Sequence, residues 1–214
     1  MNERMKKQLD FLLELDKLKN RSRQTYIAND DLPDGSAEFN GNIKERAPLP
    51  RKENDAEHSF SLAIAVMLLA EYSNEPVDVL KTMKMVLVHD VVEIDAGDTY
   101  CYDTEGNLTK REREVKAAER IFGILPEDMR AEFRGLWDEF EANETSEARF
   151  ANAMDRIQPM LLNNYREGIS WREHGVHFPQ VAERSMKIKD GSVALWENFY
   201  AMLEESRDKG LLPE

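Results

Sequence analysis

The chain is poor in the features that mark several protein classes. Its 214 residues include one cysteine, Cys101, so no disulfide can form within the chain, and a reducing compartment is expected. Positive charge is in deficit, with 29 Lys and Arg against 42 Asp and Glu and a formal net charge of −13. A basic stripe is the usual footprint of a nucleic-acid binder, so this balance argues against DNA or RNA polymers as partners. Long hydrophobic runs are missing too: the longest nearly unbroken apolar stretch, Phe60 to Ala70, falls short of the ~18 residues a membrane span requires. The first residues, MNERMKKQLDFLLELDKLKN, lack the apolar segment and small-residue cleavage site of a signal peptide, which points to a cytoplasmic protein. With 41% apolar residues the chain can build a core, and its length fits a single domain.

Apolar residues recur at helical spacing along most of the chain and no run of alternating β-branched residues stands out, so the expectation is an all-α bundle of about eight helices. The first covers about Glu3 to Lys19, with Leu9, Leu12 and Leu15 on one face, widened by Phe11 and Leu18. Residues 20–54 carry Pro33, Gly35, Gly41, Pro48 and Pro50 and read as a long irregular segment. Asn54 and Glu57 stand at capping-box spacing for a second, very apolar helix to about Tyr72, expected to be deeply buried. A third runs from about Val77 to Val92. Thr109 and Glu112 offer another capping box, Pro126 opens the next helix, and a long one from Ser146 to about Glu167 carries Phe150, Met154, Ile157 and Leu161 as its stripe. Two C-terminal helices, one from Pro179 and one capped by Ser192, complete the domain over 178–209.

Two of these apolar helices contain polar residues that an ordinary core would not choose. The third reads Met85-Val-Leu-Val-His89-Asp90-Val-Val-Glu93, with Glu93 four residues after His89 and three after Asp90, so that all three project to one side of a helix. His58 lies at the start of the second helix, and Asp155 interrupts Phe150-Ala-Asn-Ala-Met-Asp155-Arg-Ile. Buried charges cost several kcal/mol each unless paired or metal-bound. Two imidazoles and two carboxylates, His58, His89, Asp90 and Asp155, suit one borderline divalent ion of the Mn, Co, Fe, Ni or Zn kind better than an all-oxygen calcium cage. Other features are weaker. His174-Gly-Val-His177 lacks nearby carboxylates beyond Glu173 and reads as a solvated or interface loop. Cys101 has no paired histidine and reads as a small buried residue.

The order His…His-Asp…Asp on separate helices resembles the HD-domain superfamily of metal-dependent phosphohydrolases. The string His89-Asp90-Val-Val-Glu93-Ile-Asp-Ala-Gly97-Asp98 is similar to the HD-x-x-E-x-x-x-G-D segment of bacterial 5′-deoxynucleotidases and their eukaryotic relatives. Thr145-Ser-Glu-Ala-Arg-Phe-Ala-Asn-Ala-Met-Asp155 is similar to the lead-in to their last ligand. The resemblance covers about 9–165 and implies a single HD-domain bundle with one divalent metal, Mg among the choices, on His58, His89, Asp90 and Asp155. It further implies an acid/base role for Glu93, a substrate contact and catalytic part for Asp98, and a phosphate-gripping arginine after the first helix. Arg23 is favoured there, with Arg21 as the other choice. A homodimer acting on a small phosphate ester, most simply a (deoxy)nucleoside 5′-monophosphate, follows from the same likeness. The alternatives are cyclic-nucleotide or alarmone hydrolysis, or a non-catalytic metal- or nucleotide-binding module. Di-iron oxygenation fits less well, because no histidine lies between Asp90 and Asp155. The segment 29–50 leads into His58 and is expected near the mouth of the site.

Overall fold

The computed structural model describes residues 2–27 and 51–214; the segment 29–50 expected at the site mouth therefore lies outside the described residues. Helices dominate. α1 (Glu3–Leu15) is followed by a 3-10 turn (Asp16–Asn20), and α2 (Asp55–Leu69) by another (Ala70–Tyr72). α3 (Val79–Val88), a 3-10 turn (His89–Val92) and α4 (Glu93–Ala96) follow in one continuous run. Then come α5 (Thr104–Phe122), α6 (Glu127–Ala142), α7 (Ser146–Tyr165), α8 (Ile169–Glu173), α9 (Phe178–Ser185), α10 (Ile188–Gly191) and α11 (Val193–Asp208). Several are single turns, which is why this series exceeds the eight helices read from periodicity.

Part of the stretch read as irregular is a two-stranded antiparallel sheet: β1 (Ser22–Tyr26) pairs with β2 (Lys52–Asn54), with Ser22 opposite Asn54, Tyr26 opposite Lys52 and an irregularity between. Strands of 5 and 3 residues with sequences SRQTY and KEN carry no apolar alternation, so a pattern search passes over them. Their role is positional. They dock the end of α1 onto the start of α2, with Asp55 N donating to the Arg21 carbonyl at 3.1 Å. α2 then begins with the expected capping box, Glu57 N to Asn54 Oδ1 at 3.0 Å and Asn54 N to Glu57 Oε2 at 3.2 Å. Because this cap sets the first turn, which carries Asp55 and His58, Asn54→Ala is expected to cost about 1 kcal/mol, read as a lower urea midpoint at unchanged slope.

Two apolar cores flank the run from α3 to α4. One gathers Leu62, Val66, Met85, Phe150, Met154 and Ile157 from α2, α3 and α7. The other gathers Phe11, Val91, Ile121, Phe122 and Trp137 from α1, the 3-10 turn, α5 and α6. Several expectations of burial reverse here. Phe11 and Leu18 are the inward residues at the N-terminus, whereas Leu9 and Leu12 face out. α2 is not buried all round: Phe60, Ile64, Met67 and Leu68 are exposed, at spacings of four, seven and eight residues that put them on one face. Leu161 and Tyr165, near the end of α7, are exposed as well. α5 starts five residues before Thr109, because Asp103 Oδ1 accepts from the backbone N–H groups of Glu105 and Gly106 at 3.1 and 3.0 Å.

Candidate functional site

Three helices bring the histidines and Asp155 together. His58 is the fourth residue of α2, His89 opens the 3-10 turn after α3, and Asp155 lies midway along α7. His58 Nε2 is 3.0 Å from Asp155 Oδ1, and His89 Nε2 lies 3.7 Å from the same oxygen and 3.0 Å from Asp90 Oδ1. Each ring is fixed from behind through Nδ1. His89 Nδ1 donates to the Val86 carbonyl at 2.8 Å, and His58 Nδ1 donates to Gln158 Oε1 at 3.0 Å. Gln158 Nε2 in turn donates to Glu53 Oε1 at 2.6 Å. With Nδ1 anchored behind, each ring aims Nε2 at one point, as an N–H toward the carboxylates in the metal-free protein and as a ligand nitrogen once that proton leaves. One donor atom from each of His58, His89 and Asp155 lies within 4.8 Å of the others.

A second group, Asp55, Asp90 and Glu93, also has its carboxylate oxygens within 4.8 Å of one another. The sequence reading placed Asp90 with the first group and did not single out Asp55. The difference follows from local geometry. The run His89–Val92 is a 3-10 turn rather than α-helix, and side chains three apart eclipse in a 3-10 turn, so Asp90 and Glu93 align along one edge while His89 turns toward α2 and α7. Asp90 still touches both groups, with Oδ2 4.0 Å from His58 Nε2.

The electrostatics are those of a site built for cations. Burial alone would lower the His89 pKa, but the adjacent Asp90 and Asp155 carboxylates push it up to about 10. Burial would raise Asp155 and Asp90; instead the hydrogen bond from His58 and the nearby His89 hold Asp155 well below the usual carboxylate range, and the charges of His89 and Arg23 hold Asp90 below it. Glu93, only 5% exposed, is pushed the other way, raised by burial and then by the charges of Asp90 and Asp55. Burial and Asp90 likewise push Asp55 up to about 7. The buried His89 Nε2, Glu93 Oε2 and Asp55 Oδ2 have no hydrogen-bond partner among the described residues. Orphaned buried atoms of this kind, on a His/Asp donor set with fixed rings, are what a divalent ion would satisfy.

This is the architecture of a known family. A model of the HD domain matches residues 43–196. The chain belongs to the HD domain family. A crystal structure described as a predicted metal-dependent phosphohydrolase from Magnetospirillum magnetotacticum MS-1 is 42% identical, with a TM-score of 0.85 over 99% of this chain and 96% of that one. The chain is also similar to 5'-deoxynucleotidase HDDC2 of Homo sapiens, 30% identical over 111 residues, 52% of this chain and 53% of that protein. The Dictyostelium discoideum protein of the same name is 30% identical over 119 residues, 53% of this chain and 62% of that one. This chain thus spans little more than half the length of these curated relatives.

Within the HD domain the predicted residues fall as follows. Asp90, Glu93, Asp98 and Asp155 line one cleft with Arg23. Arg23 comes in on β1 and reaches Asp90 Oδ2 at 2.7 Å and Asp55 Oδ1 at 3.4 Å, with Asp155 Oδ1 4.0 Å away. Burial would lower the pKa of its guanidinium, but the Asp90 and Asp155 charges raise it. Asp98 is raised, by burial first, with Arg23 opposing. Arg21 departs from the cleft: it closes the 3-10 turn after α1, and its guanidinium donates to the Ile94 carbonyl of α4. Cys101 is half-buried on the cleft wall, not in the core. His174 packs at a tilt against Tyr100 with ring centroids 4.5 Å apart, and His177 Nδ1 donates to the Glu214 carbonyl, so the two do not converge. Gln158, Glu53 and Asp55 escaped the sequence reading. Gln158 alone left a trace, one helical turn after Asp155.

Proposed function

We propose that this chain is a metal-dependent phosphohydrolase that releases inorganic phosphate from a small phosphomonoester, with (deoxy)nucleoside 5′-monophosphates as the substrate class. The observation that carries this reading is the convergence of His58 Nε2, His89 Nε2 and Asp155 at 3.0 and 3.7 Å, beside the cleft-lining Glu93, whose buried Oε2 has no partner among the described residues. His58, His89 and Asp155, with Asp90, would hold one divalent ion such as Mn, Co, Fe, Ni, Zn or Mg. Bound there, the ion would polarise a phosphoryl oxygen and make water a better nucleophile near neutral pH. The residues do the rest. Water adds to phosphorus as the ester P–O bond breaks, and the bond's electron pair leaves with the ester oxygen. Glu93, whose pKa is raised, takes the proton from that water and returns one to the leaving oxygen. Asp98 orients the substrate, and Arg23 places its positive charge against the non-bridging oxygens.

A phosphate-release screen over ribo- and deoxymononucleotides with each divalent ion tests the reading. Turnover with Mn²⁺ or Co²⁺ that EDTA removes is expected; no release from any mononucleotide would leave a non-catalytic binding module. Because Gln158 fixes the His58 ring through a 3.0 Å hydrogen bond, Gln158→Leu should weaken metal binding about 10–100-fold, measured by calorimetry. The dimer belongs here as well. α2 packs on α3, and the two helices expose Phe60, Ile64, Met67 and Leu68 and Leu80 and Leu87 respectively, apolar side chains that a second copy would cover. Light scattering should give about twice the 24.8 kDa chain mass, and Leu68→Glu should return it to one chain.

A further inference from the structure

Two arginines on the cleft wall have no carboxylate within ion-pair reach among the described residues. Arg156 follows Asp155 on α7, and Arg184 lies on α9; both line the cleft beside Tyr100, Tyr102 and Trp171. Both also line an adjoining recess with Gln180 and Lys187. Arg23, by contrast, is answered by Asp90 and Asp55. Arg156 instead donates to the Asn152 carbonyl at 2.7 Å and to Asn152 Oδ1 at 2.9 Å, while its buried Nε has no partner. Two guanidinium groups that line one cleft without an ion pair repel each other, and an anion bound there offsets that repulsion. Glu183 lines the adjoining recess as well, and among the described residues it forms an ion pair with neither arginine.

We propose that Arg156 and Arg184 form a second anion subsite, which takes the second phosphate group of a substrate whose first phosphate is cleaved beside His58, His89 and Asp155. This rests on the phosphohydrolase reading and sharpens its substrate class to small phosphomonoesters that carry another phosphate. Consecutive helical residues point about 100° apart, so α7 turns Asp155 toward the histidines and Arg156 toward a different part of the same cleft. The organic scaffold between the two phosphates lies against Tyr100, Tyr102 and Trp171. Arginine suits this task, since its planar fork binds phosphate oxygens in pairs.

The test compares matched substrates with Mn²⁺: deoxyadenosine 5′-monophosphate with its 3′,5′-bisphosphate, and fructose 6-phosphate with fructose 1,6-bisphosphate. For at least one pair the bisphosphate should show a kcat/KM about tenfold higher or more, and Arg184→Met should bring that ratio close to one. Calorimetry on the metal-free protein should show the same bisphosphate binding about tenfold more weakly to Arg184→Met. The variant removes an unanswered charge, so its thermal midpoint should not fall. Equal rates within both pairs, or a preference that survives in Arg184→Met, overturn the subsite. Absence of phosphate release from every ester, with Arg184-dependent binding intact, overturns the phosphohydrolase reading and leaves the subsite standing.

Discussion

Glu93→Ala is expected to lower phosphate release by roughly 10²–10⁴-fold, the range of a lost general acid/base, while the protein keeps its metal. The expectation rests on where Glu93 sits. It is the first residue of α4 and stands outside the His58, His89 and Asp155 group, with Asp55 and Asp90. Its removal leaves both imidazoles, their Nδ1 anchors at Val86 and Gln158 and Asp155 in place. Steady-state kcat with metal stoichiometry by mass spectrometry separates the two effects. Glu93→Gln, equal in size but unable to exchange a proton, should lose as much as Glu93→Ala. Turnover of the Glu93→Gln variant at the wild-type rate would end the acid/base role.

The candidate ligand set stands out in the sequence because it breaks a pattern. His89, Asp90 and Asp155 interrupt runs of valine and alanine that otherwise serve the cores around Met85, Val86 and Met154, and burying such residues without a reason is costly. The helices were readable for the complementary reason: the stripe of Phe150, Met154 and Ile157 on α7 and the caps at Asn54 and Ser192 are local signals. What escaped notice was set by chain segments meeting in space. β1 and β2 have no hydrophobic alternation and exist because residues on either side of 28–50 pair with each other, which is how Arg23 comes to face Asp90. Gln158 and Glu53 are ordinary polar residues until α7 and β2 place both behind His58. The exposed face of α2 escaped for another reason, since a helix rich in leucine and methionine reads as buried whether or not its own chain covers it all round.

Asp155→Ala is expected to have the opposite stability signature from Glu93→Ala, although each removes one buried carboxylate. Asp155 Oδ1 lies between the two imidazoles, 3.0 Å from His58 Nε2 and 3.7 Å from His89 Nε2, and its pKa is held well below the ordinary carboxylate range. A depressed carboxylate stabilises the fold at neutral pH. Its loss strands two buried imidazoles, one of them carrying positive charge through the raised pKa of His89. Breaking a buried ion pair from one side costs about 3–5 kcal/mol, so the metal-free variant should unfold at clearly lower urea concentration. Metal affinity should fall by more than the roughly 100-fold that loss of a supporting residue brings, because a ligand itself is gone. Glu93 is raised by burial and by like charges, so its removal relieves repulsion with Asp55 and Asp90, and the midpoint of Glu93→Ala should hold or rise. Denaturant curves of the two metal-free variants therefore distinguish a carboxylate that binds the centre together from one kept there, at a cost in stability, for its proton.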